Sequence, residues 1–172
     1  MAKQWPGMEH TKVRANEQGV WADGALIAVV DEQPVRVNYR IECDPSWRPV
    51  SVTVELHGQP ALSLRRSASR WYDGDGQERP DLDGCLDVDI ALTPFTNTIP
   101  IRRLALDVGD SADLNIVYIH PVTAVDVSAQ RQTYTRTETG WRYESGSFRA
   151  DLLVDADGVV LDYSGLWSLA SR

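Results

Sequence analysis

Apolar and polar residues alternate with a period of two along much of the chain, the signature of half-buried strands. Val35, Val37, Tyr39 and Ile41 alternate with Arg36, Asn38, Arg40 and Glu42. Val50, Val52, Val54 and Leu56 alternate with Ser51, Thr53, Glu55 and His57. Leu86, Val88, Ile90 and Leu92 are interleaved with Asp87, Asp89 and Ala91, and Val125, Val127 and Ala129 with Asp126, Ser128 and Gln130. Phe148, Ala150, Leu152 and Val154 close the set. Between the runs lie turn signals: "DGDG" at 73–76, "VGDSAD" at 108–113, "ETGW" at 138–141, "ESGS" at 144–147 and "DADG" at 155–158. Glycine supplies the positive φ such turns need. Strands and tight turns this closely spaced predict an antiparallel sheet of many strands. No segment carries the pattern of a long amphipathic helix, so the expected class is all-β, or mostly β with a short helix.

Two stretches break the alternation. In "ADLNIVYIHP", 112–121, Leu114, Ile116 and Tyr118 are apolar on one face and Val117 and Ile119 on the other. A strand apolar on both faces is covered on both. The cover is a short helix, the sheet's own curled continuation or a ligand. In "LTPFTNTIPIRRLAL", 92–106, Thr93 before Pro94 fits a helix N-cap and first-turn proline, or equally a loop, since a residue before proline is biased to extended geometry. Pro100 should stop that helix within one or two turns. Residues 93–100 are therefore expected as a crossover between strands at 86–92 and 101–107, with Phe95 and Ile99 as apolar plugs.

Length and charge narrow the function. The 172 residues fit one domain, 1–172, with a core that needs no staples. A net charge of −8 repels phosphate backbones, which argues against nucleic acid as a partner. There is no apolar run long enough to span a membrane. Residues 1–19 include a lysine but no apolar signal core, so a cytoplasmic location is expected. Cys43 and Cys85 are then expected as buried, reduced thiols, with a disulfide open only to a fold that brings them together.

Candidate chemistry is sparse. A nucleophile site built from Cys85, His120 and Asp87 lacks any local motif, and His57 reads as a strand end and His120 as the cap of a strand before Pro121. The acid-rich "DLDGCLDVD", 81–89, lacks the closing glutamate of a calcium loop. No metal and no cofactor are expected. Asp87 and Asp89 share one strand face, and Arg102 and Arg103 are expected opposite them on the next strand. Their arrangement reads as a salt-bridge ladder or as a polar groove floor that grips a head group. Trp5, Trp21, Trp47, Trp71, Trp141 and Trp167 run along the whole chain, suited to packing or to surfaces half apolar and half wet.

The stretches "GCLDVDI" (84–90), "TPFTNTIPIR" (93–102), "WRYE" (141–144), "FRADLLVDADG" (148–158) and "YSGLW" (163–167) resemble the bacterial glycolipid-binding family, formerly classed as a domain of unknown function. Trp141 stands where that family more often has tyrosine. The resemblance implies a curved antiparallel sheet forming an open or partial barrel, similar to bacterial lipoprotein carriers that hold acyl chains in an apolar cavity. It implies no catalytic residues. On this reading the partner is a glycolipid or another amphipathic small molecule. Asp87, Asp89, Asn97, Arg102 and Arg103 are the candidates to orient its head. Phe95, Ile99, Tyr118, Trp141, Tyr143 and Phe148 are the candidates to line its apolar part. The alternatives are a small-molecule enzyme using Asp87 and Asp89 with the two arginines, and an interaction module that forms a homodimer through a sheet edge.

Overall fold

The computed structural model describes residues 6–170, so Trp5 lies outside the described residues. The chain forms two sheets. The first is an antiparallel meander of β1 (Gly7–Asn16), β2 (Gly19–Val30), β3 (Gln33–Cys43), β4 (Pro49–Leu56), β5 (Leu62–Ser67) and β6 (Arg70–Asp73), each beside its sequence neighbours. The second contains β7 (Asp87–Ile90), β8 (Ser111–Pro121), β9 (Val125–Arg136), β10 (Trp141–Ser145), β11 (Phe148–Val154), β12 (Val160–Tyr163) and β13 (Trp167–Ser168), again in chain order. The molecule is mostly β, with curled sheets forming a half-barrel and one short helix, α1 (Phe95–Arg103).

The period-two runs set the faces. Val35, Val37, Tyr39 and Ile41 on β3 and Val52, Val54 and Leu56 on β4 point into the core. They meet Val88 and Ile90 of β7 and Val117 and Ile119 of β8, so the first sheet packs on one face of the second. Trp71, fully buried on β6, donates its Nε1–H to the carbonyl of Cys85 at 2.9 Å and ties the end of the first sheet to the start of the second. On β2, Gly24 stands opposite Tyr39. A side chain there would fall inside the tyrosine ring, so the glycine makes room for it. The Asp-Gly turns form as expected. Asp155 Oδ1 accepts the N–H groups of Asp157 and Val159 at 2.8 and 2.9 Å, and Gly158 takes φ of +73°.

The second sheet explains the two-faced strand. Val117 and Ile119 face the first sheet, while Leu114 packs into a separate cluster on the other face. That cluster holds Ile101 of α1 with Tyr134, Trp141, Tyr143, Leu152 and Tyr163. The cover is thus both of the protein devices expected: a short helix and the curled continuation of the sheet.

Residues 101–107 are not a strand. Helix α1 runs through Pro100 to Arg103. A proline inside a helix removes one hydrogen bond and costs about 3 kcal/mol or more. Here every residue from Phe95 to Ile101 is buried, and that burial outweighs the missing bond. The Leu104 N–H closes the helix on the Pro100 carbonyl at 2.7 Å, and Leu104 then turns extended. At the other end Pro94 already has helical angles, and the Phe95 N–H donates to Thr93 Oγ1 at 3.1 Å, the capping contact its sequence predicts. The crossover through α1 brings β8 back parallel to β7, a parallel pair in a sheet expected to be antiparallel.

Candidate functional site

Where the second sheet curls past α1, its concave face opens into a cavity of about 410 Å³. The floor is Asp89, with Tyr118 its register partner on β8. Gln130 on β9 and Tyr143 and Ser145 on β10 continue that face, because side chains two apart point the same way. The wall closes with Phe148 of β11, Tyr163 of β12, Leu166 and Trp167. Leu92, Thr93 and Asn97 border it from the helical side, and His120, stacked on Tyr118 with ring centroids 6.3 Å apart, completes it.

The rings of Tyr143, Phe148 and Tyr163 meet edge-on, with centroids 6.0 to 6.4 Å apart. Such edge-to-face contacts fix one another's orientation. Asp89 Oδ1 accepts from Thr96 Oγ1 at 2.8 Å, and its Oδ2 accepts from Gln132 Nε2 at 2.7 Å and from the Tyr143 hydroxyl at 3.4 Å. Burial raises the Asp89 carboxyl above its ordinary range, with those three hydrogen bonds opposing the rise. Burial, and then the Asp89 charge, push the hydroxyl of Tyr118 up to about 12, and those of Tyr143 and Tyr163 higher still. All three phenols are therefore neutral hydrogen-bonding groups near neutral pH.

Asp87 sits two residues away and has a different role. It is 0 % exposed, and the Arg103 guanidinium forks onto both its oxygens, with Nε 3.2 Å from Oδ1. Arg103 comes from the last turn of α1, not from a neighbouring strand. Arg102 points elsewhere: its guanidinium lies 5.0 Å from the ring of Trp47, and Nη1 donates to the Asp157 carbonyl at 3.1 Å. The expected ladder of two aspartates and two arginines is thus one sealed ion pair, Arg103 with Asp87.

Of the other residues singled out in the sequence, Asp89, Asn97, Tyr118, Tyr143 and Phe148 line the cavity. Phe95 and Ile99 face the core between the sheets, and Trp141 is buried beneath the Arg136 guanidinium at 5.6 Å. Thr93, His120, Gln130, Tyr163, Leu166 and Trp167 also line it, with Ile90, Ala91, Leu92 and Ser145, and none of these is among the sequence candidates. Gln130 shares the period-two face of its strand with Gln132, and Tyr163 and Trp167 stand in the terminal motif, so part of the signal was present. Cys43 and Cys85 are buried free thiols, pushed by burial up to about 12 and about 11. Among the described residues, no group of three or more His, Cys, Asp or Glu is placed to hold a metal ion, and no helix is long and apolar enough to cross a membrane.

A second carboxyl network adjoins the site. Glu9 of β1 accepts from the hydroxyls of Thr93 and Tyr39, the latter at 2.6 Å, so the first strand reaches the cap of α1. Burial raises Glu9 as it does Asp89. A raised acid binds more protons folded than unfolded. Its ionisation therefore costs nothing below the unfolded pKa, costs more as pH climbs toward the folded pKa, and costs in full above it. Asp89→Asn removes one of these two costs. Its melting temperature should gain on that of the wild type as pH rises upward from the ordinary carboxylate range. A thermal melt series showing a constant offset over that rise would overturn the assignment.

A larger hollow of about 480 Å³ lies over β1 to β4, among His10, Lys12, Asp23, Asn38, Arg40 and Glu55. Its charges are mutually satisfied in part, with Arg40 on Asp23 at 2.7 Å, and Tyr39 is the one phenol among its described lining residues.

The family model described as "Putative glycolipid-binding" matches residues 1–168. Among solved structures, the chain is similar to a DUF1089 family protein from Pseudomonas aeruginosa, with 35% identity and a TM-score of 0.83 over 98% of this chain and 96% of that one. A search of curated proteins finds no match.

Proposed function

The chain belongs to the glycolipid-binding family, whose model spans residues 1–168, and from that premise we propose that it holds one amphipathic molecule, glycolipid-like in build, in the cavity on the concave face of the second sheet. The observation that carries this reading is the cavity itself: about 410 Å³, aromatic along its wall, with a few polar groups converging at its floor. Sites for small amphiphiles have this composition. An apolar chain laid against Phe148, Leu166 and Trp167 gains about 25 cal/mol for each Å² removed from water. The head group then meets Asp89, Asn97, Gln130 and the phenol hydroxyls.

Acid–base chemistry by the Asp87–Asp89 pair draws less support. Such chemistry needs both carboxyls to reach the reacting atoms. Asp87 is 0 % exposed and held by Arg103, and Arg102 points away toward Trp47. That leaves Asp89 as the carboxyl at the cavity.

Native mass spectrometry of the full chain, followed by solvent extraction, tests the reading. The expected result is a single adduct whose mass matches an extracted amphiphile. A clean apo mass, an empty extract and no uptake of added alkyl amphiphiles would overturn it.

A further inference from the structure

Resting on the amphiphile reading above, we propose that the cavity selects a head group bearing a protonated amine, which pairs with Asp89 inside a surround of tyrosine rings.

The first argument is charge. Among the described residues, neither a lysine nor an arginine lines the cavity, and Asp89 is its one carboxyl. All three donors to Asp89 are neutral: Thr96, Gln132 and Tyr143. Among the described residues Asp89 has no cationic partner. Asp87, on the same strand face, shows the contrast, since the protein supplies it with Arg103. A buried carboxylate is costly without a counter-charge. For Asp87 the fold provides one, whereas for Asp89 the open side is the cavity. An anionic head would meet Asp89 with repulsion. A neutral sugar would hydrogen-bond to it but leave its charge unbalanced.

The second argument is the sign of the hydrogen-bond deficit. Gln132 turns its amide nitrogen to Asp89, because a carboxylate can only accept. Its Oε1 is left buried without a donor. The network beneath Asp89 is thus one donor short at Gln132, which is buried behind the cavity lining. An ammonium group brings three donors and no acceptor.

The third argument is the wall. Tyr118, Tyr143, Tyr163 and Trp167, from four strands, border the same space as Asp89. Aromatic faces attract cations through their ring quadrupoles, most strongly where water is excluded. A carboxylate set among tyrosines and a tryptophan suits an ammonium better than it suits either a phosphate or an uncharged polyol.

Such an amine has two sources: an amino sugar on a glycolipid, or the amine of a simple alkylamine. Isothermal titration of the full chain at neutral pH separates them, using four octyl compounds below their micelle concentrations. These are octylammonium, octyl glucosaminide with a free amine, octyl glucoside and octyl phosphate. The two amines are expected to bind one per chain and at least about tenfold more tightly than the glucoside, with the phosphate weakest. A glucosaminide tighter than octylammonium identifies an amino-sugar head; equal affinities identify the amine alone. Asp89→Asn should bring both amines down to the level of the glucoside. It changes the net charge of −8 by a single unit, so attraction to the acidic surface would survive it. A glucoside or phosphate that binds as tightly as the amines overturns the amine proposal and leaves the amphiphile reading standing. A silent titration for all four overturns both. An amine preference that persists in a cooperatively melting Asp89→Asn removes Asp89 from the proposal. Should that variant fail to fold, the wild-type head-group series decides alone.

Discussion

Replacing Arg103 with leucine is expected to destabilise the fold by about 3–5 kcal/mol, the loss seen when one partner of a buried ion pair is removed. The size follows from what remains. Asp87 is 0 % exposed, and Arg103 is the cation bound to both its oxygens, with Arg66 acting on it only through space. Without the guanidinium the carboxyl must either protonate or stay charged in the core. The pair also fastens the last turn of α1 to β7, so its loss loosens the element that borders the cavity. The double variant Arg103→Leu with Asp87→Asn should recover much of the stability, because it leaves no buried charge behind. Urea denaturation with both variants measures this. A loss below about 1 kcal/mol for Arg103→Leu would place the pair among exposed salt bridges, which contribute little, and would contradict the burial of Asp87.

Trp71→Ala should cost a similar amount, about 3–5 kcal/mol, the range for emptying a large aromatic site in a core. The ring is wholly buried, and the variant also strips the Cys85 carbonyl of its donor. Trp71→Phe separates the two effects: it fills most of the space but lacks the N–H, so its loss should be nearer about 1–3 kcal/mol, the penalty for an unsatisfied buried group. Equilibrium unfolding of both variants is the check. Alanine and phenylalanine variants equal in stability would mean that the hydrogen bond alone matters and that packing at the junction of the sheets does not.

Much of the fold is legible in the residues themselves. The alternations in β3 and β4 name the inward side chains one by one, because a pleated strand offers only two faces. The two-faced run at Leu114 to Ile119 announces a cover on each side. Other elements are masked. On β2 the inner face is Val20, Ala22, Gly24 and Leu26, partly small, while Ile27 and Val29 stand exposed outside, so no alternation marks the strand. The expected strand at 101–107 fails because local proline logic competes with tertiary burial, and burial wins across seven consecutive residues of α1. The same error moved Arg102 and Arg103 onto a strand, and with them the imagined ladder. The cavity is the least legible part. Its lining is drawn from β7 to β13, and the period of two tells which face each residue takes but not how far the sheet curls to bring Tyr163 and Trp167 back over Asp89.

The two sealed cysteines give the molecule a clock of its own. Cys43 lies on β3 of the first sheet and Cys85 at the junction with the second, both buried and both with thiols held well above the range in which they react at neutral pH. An alkylating reagent therefore reaches them only when the structure opens around each. The order in which the two sites take up label distinguishes a molecule that peels apart sheet by sheet from one that opens all at once. No engineered probe is needed to see it.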